Sequence, residues 1–271
     1  MMIEEDPKLS SHDIAEDLDI DHMSILRILH EDLELRNVCS VWIPHKLSLE
    51  NKQQRIRCAK HIRRSLLHAD WRNAYAVEDE TFIPFKSENI KSENRTWIPK
   101  SQPRCQVVRP SLTNKKCLLL LAFTPNKRFS VETVPYGQTV DADFMIDFIH
   151  HTGEKWRTLR SHPIHLSEIM PQMDNARPHT ATKVREFIER RGITSIWQSP
   201  YSPDFNLCDR FLFHWLKSEL RQRDFTSHVE VKEASLHILR GISEDVLKEE
   251  VHKLLDHCQL VIDAAGDYIT F

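Results

Sequence analysis

The chain has 271 residues, 40% of them hydrophobic and 28% charged, with a formal net charge of −3. This composition suits one large folded domain, or a small domain beside a medium one, and excludes wholesale disorder. There are only 5 glycines and no GxGxxG or GxxxxGKS/T run, which excludes nucleotide binding through Gly-rich phosphate loops.

The N-terminal MMIEEDPKLSS is acidic and lacks the apolar stretch of a secretory signal. The longest apolar run, Cys117–Phe123 (CLLLLAF), is far too short to span a bilayer, so no membrane partner is expected. Cys39, Cys58, Cys105, Cys117, Cys208 and Cys258 are scattered with no CxxC pair, a pattern of free thiols. The 16 histidines form no HExxH arrangement and read mostly as surface or core residues.

Charge is segregated along the chain. Residues 1–38 hold 11 acids and 3 bases. Residues 46–67 hold Lys46, Lys52, Arg55, Arg57, Lys60, Arg63 and Arg64 against Glu50 alone, and residues 86–117 hold eight bases against Glu88 and Glu93. Two basic blocks beside an acidic head point to polyanion contact in the middle of the chain. The same blocks also read as solvated helix and loop faces.

In chain order, Ser10 and Asp13 have capping-box spacing ahead of a helix through Ile14, Ala15 and Leu18. Asp19 suits a tight left-handed turn. Asp21 can cap a second helix carrying Ile25, Ile28 and Leu29 on one face. Two short helices joined this way form a helix-turn-helix pattern, with Met23, Ser24 and Arg27 turned toward a DNA groove. A plain helical hairpin is the alternative. Pro44 breaks the chain within VWIPHKL, and Ser48–His68 reads as one helix with Leu49, Ala59, Ile62 and Leu66 inward, linking two domains.

From Asp70 the period changes. Asn73–Phe85 reads as a strand or strand pair centred on Asp79, and Lys86–Lys116 as a long basic excursion. Cys117–Phe123 and Phe129–Pro135 are strand-like, Thr139–His151 helical, and Ile164–Met173 a strand before a helix at about 180–191. Ile193–Trp197 reads as a β-branched strand, and helices follow from Asn206 to about Ala264. That order predicts an α/β, ribonuclease H-like domain: a mixed five-stranded sheet with flanking helices, preceded by a small all-α helix-turn-helix domain. The expected division is 1–40 helix-turn-helix, 41–69 linker with the long basic helix, and 70–271 catalytic, with a clamp-like loop at about 86–116.

Asp79 lies within the first strand, Asp174 at the end of a later one, and Asp209 at the opening of a helix. Taken singly, each reads as an ordinary cap or turn residue. In a ribonuclease H-like sheet the three positions converge at one edge, where grouped carboxylates suit Mg²⁺ or Mn²⁺ and a pair of ions can clamp a phosphoryl transfer.

The motifs around these acids resemble the mariner transposases of the Tc/mariner superfamily. Asp79-Glu80 matches their DE pair, Asp174–His179 (DNARPH) their second-acid motif, and YSPDF at Tyr201–Phe205 the motif preceding the third acid, Asp209. WIPHKL at Trp42–Leu47 and the C-terminal VIDAAGDYI resemble mariner segments as well. The resemblance implies cut-and-paste transposition: metal-dependent DNA strand cleavage and strand transfer, with Asp79, Asp174 and Asp209 as catalytic acids and ligands of two Mg²⁺ or Mn²⁺ ions. Asn175 and His179 would support Asp174. Ser24, Arg27, Arg55, Arg63, Arg64, Arg104 and Arg109 are the DNA-binding candidates. The implied partners are transposon-end and target DNA and a second copy of the chain as a homodimer, and the implied compartment is the nucleus.

The chain starts near the family's second DNA-binding module, which implies an N-terminally truncated copy with impaired end recognition. Pro171 and Ser167-Glu168 interrupt the strand before Asp174, and Glu78 adds a charge beside Asp79; both features imply a displaced carboxylate. A catalytically inactive, DNA-binding or oligomerising remnant is therefore the second reading.

Overall fold

A computed structural model describes residues 2–37, 43–68, 70–86, 116–135, 137–221 and 223–269. It divides into two compact units, Met1–Ile43 and Pro44–Phe271.

Among its described residues the first unit holds the helices α1 (Met2–Glu5), α2 (Ser11–Leu18) and α3 (His22–Arg27), and α3 runs on into a widened π-helical turn at Ile28–Asp32. The local chemistry follows the sequence closely. Ser10 Oγ accepts from Asp13 N while Asp13 returns the bond to Ser10 N, satisfying two free donors at the start of α2. Asp19 adopts φ +53° and ends α2, and Asp21 accepts from Ser24 N to begin α3. Ile14 and Ile25 are buried, whereas Met23 is 68% exposed.

The second unit begins with α4 (Leu49–His68) and α5 (Trp71–Ala74), followed by β1 (Tyr75–Pro84), β2 (Lys116–Phe123) and β3 (Phe129–Val134). Then come α6 (Ala142–Arg157), β4 (Met170–Gln172), α7 (Arg177–Thr180), α8 (Thr182–Arg190), α9 (Phe213–Leu220), α10 (His228–Gly241) and α11 (Glu244–Asp263). The strands lie in the order β3-β2-β1-β4, antiparallel except for the parallel β1–β4 pair.

Apolar residues cover both faces of the sheet. Along β2, Cys117, Leu119, Leu121 and Phe123 face one core together with α4, α9, α10 and α11. Leu120 and Ala122 face the other, with Met145, Phe148 and Trp156 of α6 and Val184 and Phe187 of α8. This period-2 division is what a strand buried on both faces requires.

The helix expected in the linker belongs to this core. Cys58, Ala59, Ile62 and Leu66 of α4 are fully buried against it, each large apolar side chain contributing about 1.5–3 kcal/mol. Leu49, expected inward, is 82% exposed in the first turn.

Pro171 accounts for the largest departure in the sheet. The strand expected over Ile164–Met173 shortens to Met170–Gln172, after a 3₁₀ turn at Leu166–Glu168. The fifth strand expected at Ile193–Trp197 is reduced to a single bridge, Gln172↔Ile196. Ile196 N donates to Pro171 O at 2.8 Å, so the backbone of Pro171 faces the Ile196 side. A strand residue turns its N–H and C=O to the same edge. The donor that proline lacks is therefore missing on that side alone, and the ladder toward 193–197 stops after one bridge. Pairing with β1 goes through Met170 and Gln172 and survives.

Candidate active site

Asp79 sits midway along β1, on the face shared with Tyr75 and Val77, and is only 6% exposed. Its Oδ1 accepts from Glu80 N at 2.8 Å, and its Oδ2 from Asn206 Nδ2 at 3.0 Å. Asp209, exposed in a π-helical turn (Cys208–Leu212) leading into α9, lies beside Asp79. Burial and the charge of Asp209 raise the pKa of Asp79, and burial raises that of Asp209 as well. Neighbouring acids resist ionising together, and burial pushes Asp79 toward its neutral form.

Asp174 lies just beyond β4, close enough that its charge adds to both shifts. Its own partners differ. Oδ1 accepts from Ala176 N at 2.8 Å and from His179 Nδ1 at 2.7 Å. Burial opposes its charge, yet these bonds hold its pKa below the usual value. Oδ2 takes no hydrogen bond from a described residue.

His179 is buried in α7. Burial disfavours its charge, but the bond to Asp174 and the nearby carboxylates of Glu78 and Glu80 raise its pKa to about 9. Glu80 Oε2 lies 3.7 Å from His179 Nε2, too far for a hydrogen bond. Asp79 and Asp209 thus stand together, while Asp174 stands beside them, tied to a cationic histidine. Among the described residues no three His, Cys, Asp or Glu side chains form a ready-made metal cage.

The pattern of the DDE superfamily endonuclease family matches residues 79–232, a span that contains all three aspartates. The chain belongs to that family. It is similar to the Mariner Mos1 transposase of Drosophila mauritiana, 23% identical over 274 residues, covering 99% of this chain and 77% of the fly protein. It is also similar to the Homo sapiens histone-lysine N-methyltransferase SETMAR, 20% identical over 267 residues, covering 98% of this chain but only 38% of the human protein.

Two solved structures resemble this DDE chain closely in fold. A pre-cleavage Mos1 transpososome has a TM-score of 0.83 at 20% identity, over 99% of this chain and 78% of that one. The isolated Mos1 catalytic domain has a TM-score of 0.66 at 19% identity, over 84% of this chain and all of that one. The shared fold is the mixed α/β, ribonuclease H-like arrangement.

Several supports of this DDE site were not singled out in the sequence. Asn206 is fully buried and bridges Asp79 to the turn before α9, its Oδ1 accepting from Cys208 N at 2.8 Å. Gln172 accepts from Tyr75 OH at 2.7 Å and donates to Phe205 O at 2.8 Å, tying β1, β4 and the 203–205 turn together. Only the placement of Asn206 three residues before Asp209 hinted at such a role. Asn175, expected to orient Asp174, instead donates to Gln198 O at 2.8 Å and fixes the turn to the neighbouring segment. Glu78 does not crowd the Asp79 face. The pleat sends it to the opposite side, where it lines a cavity of about 30 Å³ with Trp156 and Pro171, and burial raises its pKa to about 7.

The DNA-binding candidates divide. Arg55 is fully buried: Nη1 and Nη2 donate to Asp204 at 2.7 and 2.8 Å, Nη1 to Ser202 Oγ, and Nε to Gly266 O. It cannot reach a phosphate, because a helix residue pointing into the core places its guanidinium there too. Arg63 is partly withdrawn, donating to Leu255 O at 2.7 Å. Arg64 and Arg27 are exposed, Ser24 is half-buried, and Arg104 and Arg109 lie outside the described residues. His257 completes the Arg55 network by donating to Asp204 at 2.7 Å. Burial works against the Asp204 charge, but Arg55 and His257 hold its pKa at about 2. Gly266, at φ +88°, closes the network: a Cβ there would meet Lys52 O at 2.2 Å.

Proposed function

We propose that this chain is a mariner-type DNA transposase that cleaves DNA at a transposon end and transfers the resulting 3′-hydroxyl into target DNA. The observation that carries the reading is the buried Asp79 with Asp209 and Asp174 beside it, inside the span that matches the DDE endonucleases. The likeness to Mos1 and its transpososome supports the transposase reading over that of an inactive remnant.

The side chains fit a divalent metal. Asp79 and Asp209 offer only carboxylate oxygen, repel one another in a way a cation relieves, and Asp79 has Asn206 as a neutral partner. Mos1 structures with Mn and with Mg support the choice of ion, and two ions are the proposed number. When bound, such ions lower the pKa of an attacking water or hydroxyl and stabilise charge on the phosphate oxygens. The protein's own part is positional. Asn206 fixes the Asp79 carboxyl, the Asn206 bond to Cys208 N sets the start of the turn carrying Asp209, and His179 holds Asp174 by one oxygen while leaving the other free. Asp79, Asp174 and Asp209 are the proposed metal ligands.

DNA is the proposed substrate and a second copy of the chain the proposed partner in the DNA complex, with residues 1–40 as a helix-turn-helix reader and the nucleus as the site of action. The test is incubation with labelled transposon-end DNA in Mn²⁺ or Mg²⁺ beside an Asp174→Ala control, with gel filtration in the presence and absence of DNA. Metal-dependent nicking lost in the control is expected. Nicking that persists in Asp174→Ala, or none in the wild type, sinks the proposal.

A further inference from the structure

Beside Asp174 runs an open groove of about 500 Å³, inside the roughly 300–1,000 Å³ span of small-ligand sites. Asp174 and His179, Arg185 and Glu189 of α8, and Trp197 of the bridge segment all line it. Ile196 and Gln198 on either side of Trp197 are 3% and 4% exposed, whereas the indole itself is 42% exposed. Its backbone is pinned by Ile196 N to Pro171 O at 2.8 Å and by the Cys58 thiol to Trp197 O at 3.3 Å. A large flat ring is thus held outward on a fixed strand-like segment. Among the described residues that line the groove, Arg185 is the only arginine or lysine, and it is exposed and makes no ion pair with a described residue.

We propose that this groove is a nucleotide subsite: the base next to the scissile phosphate stacks on Trp197, and the adjoining backbone phosphate is drawn to Arg185. This rests on the transposase reading above. The chemistry favours a nucleotide because aromatic stacking accepts any base, a single cation suits a single phosphate, and the carboxylates at Asp174 are where a phosphodiester must arrive. Glu189, one helical turn from Arg185, repels a second phosphate and so limits the site to one nucleotide. Neither Trp197 nor Arg185 belongs to an acid motif, so their service would be substrate positioning.

The experiment uses the full chain, a short single-stranded oligothymidylate and two readouts: quenching of tryptophan fluorescence, and anisotropy of the labelled oligonucleotide. Trp197→Phe keeps a stacking ring but removes the indole. It should lose the 197 share of the quenching while holding affinity to within about threefold. Trp197→Ala should weaken binding about tenfold. Arg185→Gln should lower the slope of log affinity against log salt by about one. Thermal melts matching the wild type show that the exposed substitutions leave the fold intact. Equal quenching in Trp197→Phe, or unchanged affinity in Trp197→Ala, overturns the subsite and leaves the transposase reading standing. No oligonucleotide binding and no metal-dependent nicking by the wild type overturns both.

Discussion

Two carboxylates withdrawn from water in the same unit, one buried and one half-buried, meet opposite electrostatic fates. Asp204 is answered by the protein's own side chains, Arg55 in a bidentate pair and His257 donating at 2.7 Å, and stays ionised. Asp79 faces a neutral amide and a second acid, Asp209, and its pKa rises. Burial costs both carboxylates the same kind of energy, so the difference lies in who supplies the counter-charge. At Asp204 the chain supplies it, which marks a structural tie. At Asp79 it does not, which marks a place for a cation from outside.

The comparison can be broken most directly at the acid pair. Asp79→Asn or Asp209→Asn should reduce metal-dependent DNA nicking by about a thousandfold or more, about 4 kcal/mol of activation free energy. The same variants should match or exceed the wild type in metal-free urea melts, because a crowded charge has been removed. A variant that loses stability and activity together would assign the pair a structural role. Arg55→Ala should do the reverse, losing about 3 kcal/mol of stability in urea melts because Asp204 keeps its buried charge without its main partner.

The acid limb of stability offers a finer measurement. Asp204 ionises at about 2 when folded, against an ordinary value of 3.8. Its depressed pKa contributes about 2 kcal/mol that is fully present above pH 4 and lost as the pH falls from about 4 to 2. Melts across that window should show the loss in the wild type and not in Asp204→Asn. The smallest effect is expected at His179→Asn, which frees the Asp174 oxygen it now holds. Nicking should fall on the order of tenfold, with the metal concentration for half-maximal rate shifted upward.

Local chemistry was legible in the sequence, and long-range partnership was not. The Ser10–Asp13 capping box, the left-handed Asp19 and the Asp21 cap each depend on atoms three or four residues apart, and all three form as their spacing predicts. The three aspartates were visible because their motifs stand in order along the chain. Arg55 was misread because its charge pairs with a residue 149 positions away, and a run of seven bases does not reveal which helix face each one occupies. Asn175 was misassigned for a similar reason: its partner Gln198 comes from the neighbouring segment. Pro171 was correctly marked as a break in the ladder, but its consequence depends on which edge of β4 lacks the donor. Only the register settles that, and it leaves Asp174 anchored through β1.

The pairing of α4 with α11 also constrains how this unit is made. Residues 49–68 are among the first of the unit to leave the ribosome, yet their buried face and the Arg55 guanidinium are satisfied by segments beyond residue 200. Contacts so distant in sequence form slowly and carry a large loop-closure cost. During synthesis α4 must therefore wait, apolar and charged faces both open to solvent, until α11 and Gly266 emerge. Completion of the unit follows the emergence of its last helix, and the interval before it is when the chain is most open to proteases and to chaperone capture.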